Sequence, residues 1–375
     1  MPTVCQHYGK GMGCSLVNYV PNYETKEERV KKTSKTLPSH IFCVPLHSTF
    51  SHKYMGKRLE YVDISKGIGI VLVVCSHSDA LDLMWLFMGM FVPIFYFCSG
   101  YTYSMKGTMM ECIRKRFKRL FVPYLFFNVL LFCAFMHFSL REIVGVFYSR
   151  YSLYPLDVSP NVKFLTSGNY PLWFLTSMIV SYLLFYLVVY FEKKKYWLLL
   201  TYAILTAVLT RCPILLPWSI DTAFITALFM YAGLIARNRN YISFKWWPVG
   251  LIAMTYIGLQ IIGGDINLSV RMYGTSVIIY FILGCLGSFV ILWGSKFLED
   301  TYIGKIFMSL GRHSLTIFCI QILFIMWAKD LYQYLFPQMP LGYLVGLFEI
   351  FLALAGGYIV SLLLHKNKFL CRLLF

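Results

Sequence analysis

Ten near-continuous apolar stretches run along the chain, near 64–82, 86–104, 120–138, 172–191, 197–211, 218–236, 247–263, 275–293, 314–333 and 343–364. A helix needs roughly 20 apolar residues to cross the hydrocarbon of a bilayer, and each stretch is near that length. The fifth is the shortest. The seventh holds Gly250 and Gly258, which membrane helices tolerate. Between the stretches, basic loops alternate with loops that are not. Lys106, Arg114, Lys115, Arg116, Lys118 and Arg119 share one segment. Lys193–Lys195 follow, then Arg237, Arg239 and Lys245, then Lys296, Lys305 and Arg312, then Lys366, Lys368 and Arg372. Cytoplasmic loops collect Lys and Arg, so the alternation puts these segments and both termini inside. The pattern predicts an all-α polytopic membrane protein of about ten transmembrane helices.

Composition agrees. Hydrophobic residues make up 58% of the 375 residues and charged residues 14%, against about 25% charged in a soluble domain. Lipid must cover part of so much apolar surface. A net charge of +17 would suggest nucleic acid in a soluble protein. Here the loops account for it, and no nucleic-acid partner is expected. The 11 cysteines form no C-x-x-C pair. Cys75, Cys98, Cys133, Cys285 and Cys319 lie in apolar runs, where a thiol behaves as a small hydrophobe. Cys5, His7 and Cys14 match no common ligand spacing, so no metal is expected.

Two regions break the pattern. Residues 1–54 are polar, with no spanning run and no signal-peptide pattern. The character changes at Met55, where Met55-Gly56-Lys57-Arg58-Leu59-Glu60 leads into the first apolar run. Either Met55 is the translation start, the preferred reading, or residues 1–54 are a cytoplasmic extension without fixed structure. The membrane domain is then 55–375. The second region is the outer segment 139–171, which carries Tyr148, Tyr151, Tyr154, Pro155, Pro160, Gly168 and Asn169. Long loops of this kind are often functional, and a lid or substrate-binding role is expected.

Ionisable groups inside spans are costly and mark candidate sites. In the first span Asp63, Lys66, Ile70, Val73 and His77 recur at helical spacing on one face. Lys66 and His77 are eleven residues apart, or roughly 16 Å along a helix axis. Lys66 therefore sits near the cytoplasmic surface and His77 deep, toward the outer half. An intramembrane histidine often only hydrogen-bonds a neighbouring helix. Asp63 and Lys66 on the same face, with Ser76, Ser78 and Asp79 nearby, favour a functional role, and histidine is the side chain best suited to move a proton near neutral pH. Arg116 and Arg119 share a helix face before the third span. They are either positive-inside anchors or a clamp for phosphate. Arg114, Lys115 and Lys118 read as anchors. Asp221 and Glu349 are further polar outliers, with Glu349 expected to be structural. Trp173 follows Pro171-Leu172, where an interfacial-belt tryptophan is the plain reading.

Taken together, these segments resemble the membrane-bound acyltransferase family 3, which includes sugar and peptidoglycan O-acetyltransferases. Asp63-Ile64-Ser65-Lys66-Gly67-Ile68 running on to His77-Ser78 is similar to its opening motif, a basic residue, ten positions and a catalytic His. Phe91-Val92-Pro93-Ile94-Phe95-Tyr96-Phe97-Cys98-Ser99-Gly100-Tyr101 resembles its second-span segment. Arg116 and Arg119 before Leu120-Phe121-Val122-Pro123-Tyr124 match its paired arginines. Gly168 to Leu175, Asp221-Thr222-Ala223 through Gly233, and Gly311-Arg312-His313-Ser314-Leu315 resemble later motifs. The resemblance covers roughly 57–365. Lys66 stands where Arg is usual in many members, a variant compatible with the sugar-acetylase, fucose 4-O-acetylase-like branch. Gln321 stands where many members carry a second His.

The resemblance implies O-acyl transfer at the cell inner membrane, from cytoplasmic acetyl-CoA to a hydroxyl of an envelope glycan or lipid-linked sugar. A hydroxyl needs a base within hydrogen-bond reach. His77 is the candidate, either as that base or as carrier of the acyl group, with Asp63 orienting or balancing charge. Arg116 and Arg119 are candidates for the phosphates of acetyl-CoA, and Lys66 for its pantetheine or phosphate end. Trp173, Asn169 and Asp221 are candidates for acceptor binding. The alternative is an exporter of polysaccharide or glycolipid that uses the same groups without chemistry.

Overall fold

The computed structural model describes residues 58–375 except 79, 81, 106, 136–138, 156–162, 164–168 and 338–341. The expectations for residues 1–54, Met55, Cys5, His7, Cys14, Asp79, Lys106, Pro160 and Gly168 lie outside the described residues.

Thirteen α-helices occur among the described residues: α1 Glu60–His77, α2 Pro93–Tyr101, α3 Met109–Phe135, α4 Leu140–Tyr148, α5 Trp173–Tyr190, α6 Lys195–Leu209, α7 Ile220–Asn238, α8 Trp246–Gly263, α9 Val277–Phe297, α10 Tyr302–Arg312, α11 Ser314–Leu335, α12 Tyr343–Lys366 and α13 Lys368–Leu374. A two-residue hairpin, β1 Ile266–Asn267 and β2 Met272–Tyr273, pairs antiparallel between α8 and α9. Each of the ten apolar runs falls on one helix. Among the described residues, seven helices are long and apolar enough to cross a bilayer: α3, α5, α7, α8, α9, α11 and α12. The chain is an all-α polytopic membrane protein.

Three runs depart from this seven-helix standard for physical reasons. α1 has 18 residues, but Glu60, Asp63 and Lys66 lie within it. α6 has only 15 residues, as the short fifth run foretells. The second run yields a nine-residue helix instead of a full span. Pro93 occupies its first turn, where a missing N–H and a preset φ favour helix initiation. The chain before it is a 3-10 turn over Asp82–Phe87 followed by irregular turns.

The core is formed where α1, α2, α5, α7, α9 and α11 meet. Small residues set the closest approaches, as expected where packing without a hydrophobic gain must hold membrane helices together. α1 and α10 cross at Gly67 and Gly311. A Cβ on Gly67 would lie 1.9 Å from the Phe307 carbonyl oxygen, and one on Gly311 would lie 1.8 Å from that of Asp63. Gly250 and Gly258 of α8 face open space.

Candidate active site

α1 carries the predicted stripe as a real face. Asp63, Ile70 and Val73 are buried, while Lys66 and His77 are half-buried. Its two ends differ in chemistry. At the first end the Asp63 carboxylate accepts from Arg58 Nε at 2.5 Å and Nη2 at 3.2 Å, and from Arg312 Nε at 3.5 Å. α9 is stitched to this end as well. Ser65 Oγ donates to Ser295 Oγ at 3.0 Å, and the Tyr61 N–H donates to Glu299 at 3.0 Å. Lys66 has no hydrogen bond or ion pair among the described residues, and its ammonium interacts electrostatically with the Cys98 thiol of α2.

At the second end His77 closes α1. Its ring meets Tyr170 edge-on at 5.5 Å, and Tyr170 meets Tyr151 edge-on at 5.7 Å. The Lys163 ammonium lies 5.7 Å from the Tyr151 ring centre. A lane of rings thus runs from segment 149–172 to the imidazole. From α11, Gln321 approaches His77. Among the described residues, neither amide atom of Gln321 nor His77 Nδ1 makes a hydrogen bond of normal geometry, although the amide and the imidazole lie close enough to interact. Buried polar atoms are nearly always paired, so three orphaned atoms at one place call for an explanation. All three atoms are available to a polar ligand. This is the only place among the described residues where the sequence-derived catalytic candidate and orphaned polar atoms coincide.

The paired arginines do not act as one fork. The Arg116 guanidinium lies 5.0 Å from the Tyr182 ring centre and interacts with the Tyr186 hydroxyl, both on α5. Arg119 is exposed and donates to the Phe375 carbonyl at 3.2 Å. Arg116 thus keeps a planar, half-covered face toward α5, and Arg119 keeps most of its donors free.

The segments around the His77 end form a cap that local spacing could not reveal. α4 begins at a capping box, in which Ser139 Oγ accepts from the Glu142 N–H and Glu142 accepts from the Ser139 N–H. Asp221, at the start of α7, is fully buried and binds Arg150 and Arg271. Arg150 also donates to the carbonyls of Leu216 at 3.0 Å and Ser269 at 2.8 Å. Arg271 donates to those of Ile214 at 2.9 Å and Cys212. One carboxylate thereby ties together α4, the chain before α7 and the β1–β2 hairpin. Trp218 and Ser219 take left-handed backbone there, with φ 55° and 58°. That strain is held by the Trp218 indole donating to the Phe147 carbonyl at 2.8 Å.

The other candidates are placed as follows. Asn169 is buried and donates to Asn128 Oδ1 at 3.1 Å, while Asn128 donates to the Tyr124 carbonyl at 2.8 Å. Trp173 is buried at the start of α5, against Phe174, rather than set in a lipid-facing belt. Glu349 is buried on α12. The structure thus brings His77 and Tyr170 together beside Asn169 and Trp173, and it holds Asp221 in the cap's ion-pair knot. Sequence reasoning missed Arg150 and Arg271, whose partner lies 71 and 50 residues away.

A family model described as an acyltransferase domain matches residues 59–366, nearly all of the described chain. Among curated proteins none matches the chain. The match begins beside Asp63 and ends at the close of α12, so it takes in both ends of α1 and the cap above His77. The chain belongs to acyltransferase family 3 and is a multi-pass membrane acyltransferase.

Proposed function

We propose that this protein transfers acetyl from cytoplasmic acetyl-CoA to a hydroxyl of an envelope glycan or lipid-linked sugar at the cell inner membrane. The observation that carries the reading is the set of orphaned buried atoms on His77 and Gln321 at the inner end of an aromatic lane. Sugar rings present apolar C–H faces and many hydroxyls. Tyr151 and Tyr170 supply flat apolar surface for the first and polar tips for the second.

The chemistry follows from one base. The neutral imidazole of His77 takes the proton of the acceptor hydroxyl. The oxygen attacks the thioester carbonyl, a C–O bond forms and the C–S bond breaks. The imidazolium then returns its proton to the departing thiolate. The Gln321 amide, with a donor and an acceptor both unspent, is placed to orient the imidazole or the carbonyl oxygen. Lys66 and Arg119, cations with unspent donors, would meet the negative donor from the opposite end of α1 and from α3. Arg116 offers a planar partner to phosphate or adenine. Asp63 holds Arg58 and Arg312 at the first end of α1, and Asp221 fixes the cap. Asn169 and Trp173, next to Tyr170, complete the acceptor's wall.

The test is His77→Ala in the native host. Glycan acetylation is expected to vanish while the amount of protein in the membrane stays unchanged. Acetylation at the wild-type level would overturn the reading. Unmodified glycan retained inside the cell would point to export instead.

A further inference from the structure

Away from His77, on the outward side of α10 and α12, lies an open groove of about 370 Å³. Leu310 of α10 and Phe351, Leu354 and Ala355 of α12 line it, and Phe351 is largely exposed. From Phe351 to Tyr358 the groove runs along seven residues of α12, a length of about 10 Å. It ends at a polar bar, where Ser309 Oγ and the Tyr358 hydroxyl share a hydrogen bond of 2.8 Å.

One helical turn beyond that bar is a cationic cluster. The side chain of Arg312 is 40% exposed. Its nearest carboxylate, Asp63, is held more closely by Arg58, so two guanidinium groups share one negative charge. His313 Nδ1 lies 2.8 Å from Ser361 Oγ, and His365 Nδ1 lies 2.7 Å from the Ser361 carbonyl. The two imidazole rings are 5.1 Å apart. A carbonyl only accepts, so His365 Nδ1 carries the proton of that bond. With the Ser361 hydroxyl donating to His313 Nδ1, the His313 proton sits on Nε2, outside the pair. Lys366 and Lys368 follow within one turn.

An open apolar slot beside α12, a helix of spanning length, that ends at unspent cationic donors has the shape and charge of a site for an anionic amphiphile. We propose that this groove binds one anionic phospholipid of the surrounding bilayer, with an acyl chain along α12 and the phosphate on Arg312 and His313. Lipid chains gain little by leaving other lipid chains. The slot therefore contributes shape, and selection between lipids rests on the cationic end. His313 is held below the ordinary histidine range, first by burial and then by His365, Arg312 and Arg58, as expected where cations outnumber the one carboxylate beside them. The proposed site uses neither His77 nor Gln321, and it meets the acyl-transfer reading only through the Arg312–Asp63 contact.

The experiment uses the full chain, reconstituted in nanodiscs of phosphatidylcholine with phosphatidylglycerol and then released for native mass spectrometry. One phosphatidylglycerol per chain is expected to be retained in preference to phosphatidylcholine. Arg312→Gln is expected to lower that retention about fivefold, the scale of one partly exposed ionic contact. Ala355→Trp, which fills the slot, is expected to lower it similarly. Should the tryptophan prevent folding, Ala355→Leu reads the same quantity. Glycerol phosphate at millimolar concentration is expected to displace no lipid, because a head group alone lacks the slot. Equal retention of both lipids, unchanged retention in the variants, or displacement by glycerol phosphate would each overturn the proposal.

Discussion

Two buried polar clusters lie at the same end of this bundle and are built on opposite terms. In the cap, Asp221 is surrounded by Arg150 and Arg271, and the remaining guanidinium donors reach carbonyls on two separate segments, the chain before α7 and the hairpin. At the end of α1, the half-buried His77 and the buried Gln321 hold enclosed polar atoms unspent. Satisfied burial fixes a shape, whereas unsatisfied burial holds a place for something else. The accounting of partners, more than burial, separates the two clusters.

Substitutions can break this contrast. The largest effect is expected from Asp221→Ala, which strands two buried guanidinium groups. Removing one partner of a buried pair costs about 3–5 kcal/mol. The protein is expected to be lost from the membrane or to melt far earlier, read by the thermal retention of a fluorescent fusion on size exclusion. Normal stability with lost activity would instead make Asp221 a substrate ligand. His77→Ala is expected to do the reverse, lowering turnover by about 100- to 10,000-fold, the scale of a general base, with little change in melting temperature. Gln321→Leu sharpens the point. It removes two unsatisfied groups and inserts an apolar side chain of similar size, so melting temperature is expected to hold or rise. Acyl transfer is expected to fall about tenfold, the scale of a single neutral hydrogen bond. A drop in stability would mean that Gln321 is satisfied in the folded protein.

The smallest effect concerns pH at the opposite end of α1. His313 is held below its ordinary value of 6.5, chiefly by burial. Between its folded and unfolded values the unfolded chain binds more protons, so stability rises with pH through that window and is lost as pH falls through it. A modest loss of melting temperature on acidification below about pH 6.5 is expected. His313→Gln is expected to flatten it. An identical pH profile in that variant would assign the effect to another group.

Much of this was legible in the sequence because it is local. Ten apolar runs give ten helices, and a period near 3.6 put Asp63, Lys66 and His77 on one face of α1. The capping box at Ser139 and Glu142 was equally local, and α4 could have been read from it inside the segment taken as a loop. Pro93 likewise announces the late start of α2. Arg150 and Arg271 were beyond reach. Each lies in an irregular segment, and only the folded chain brings them to Asp221. Trp173 shows the same limit. Its place after Pro171-Leu172 suits a membrane-surface belt, yet α5 turns that face into the core. The arginines before the third span were correctly placed on α3. Their parting toward α5 and toward Phe375 depends on which helices flank them.

The crossing at Gly67 and Gly311 has a mechanical consequence. With main chain resting on main chain at two successive turns, there is no side-chain layer left to compress or slide. α1 and α10 therefore move as one stiff beam, carrying Asp63, Lys66 and His77 at fixed mutual spacing. Any motion that the proposed transfer requires must be taken up elsewhere.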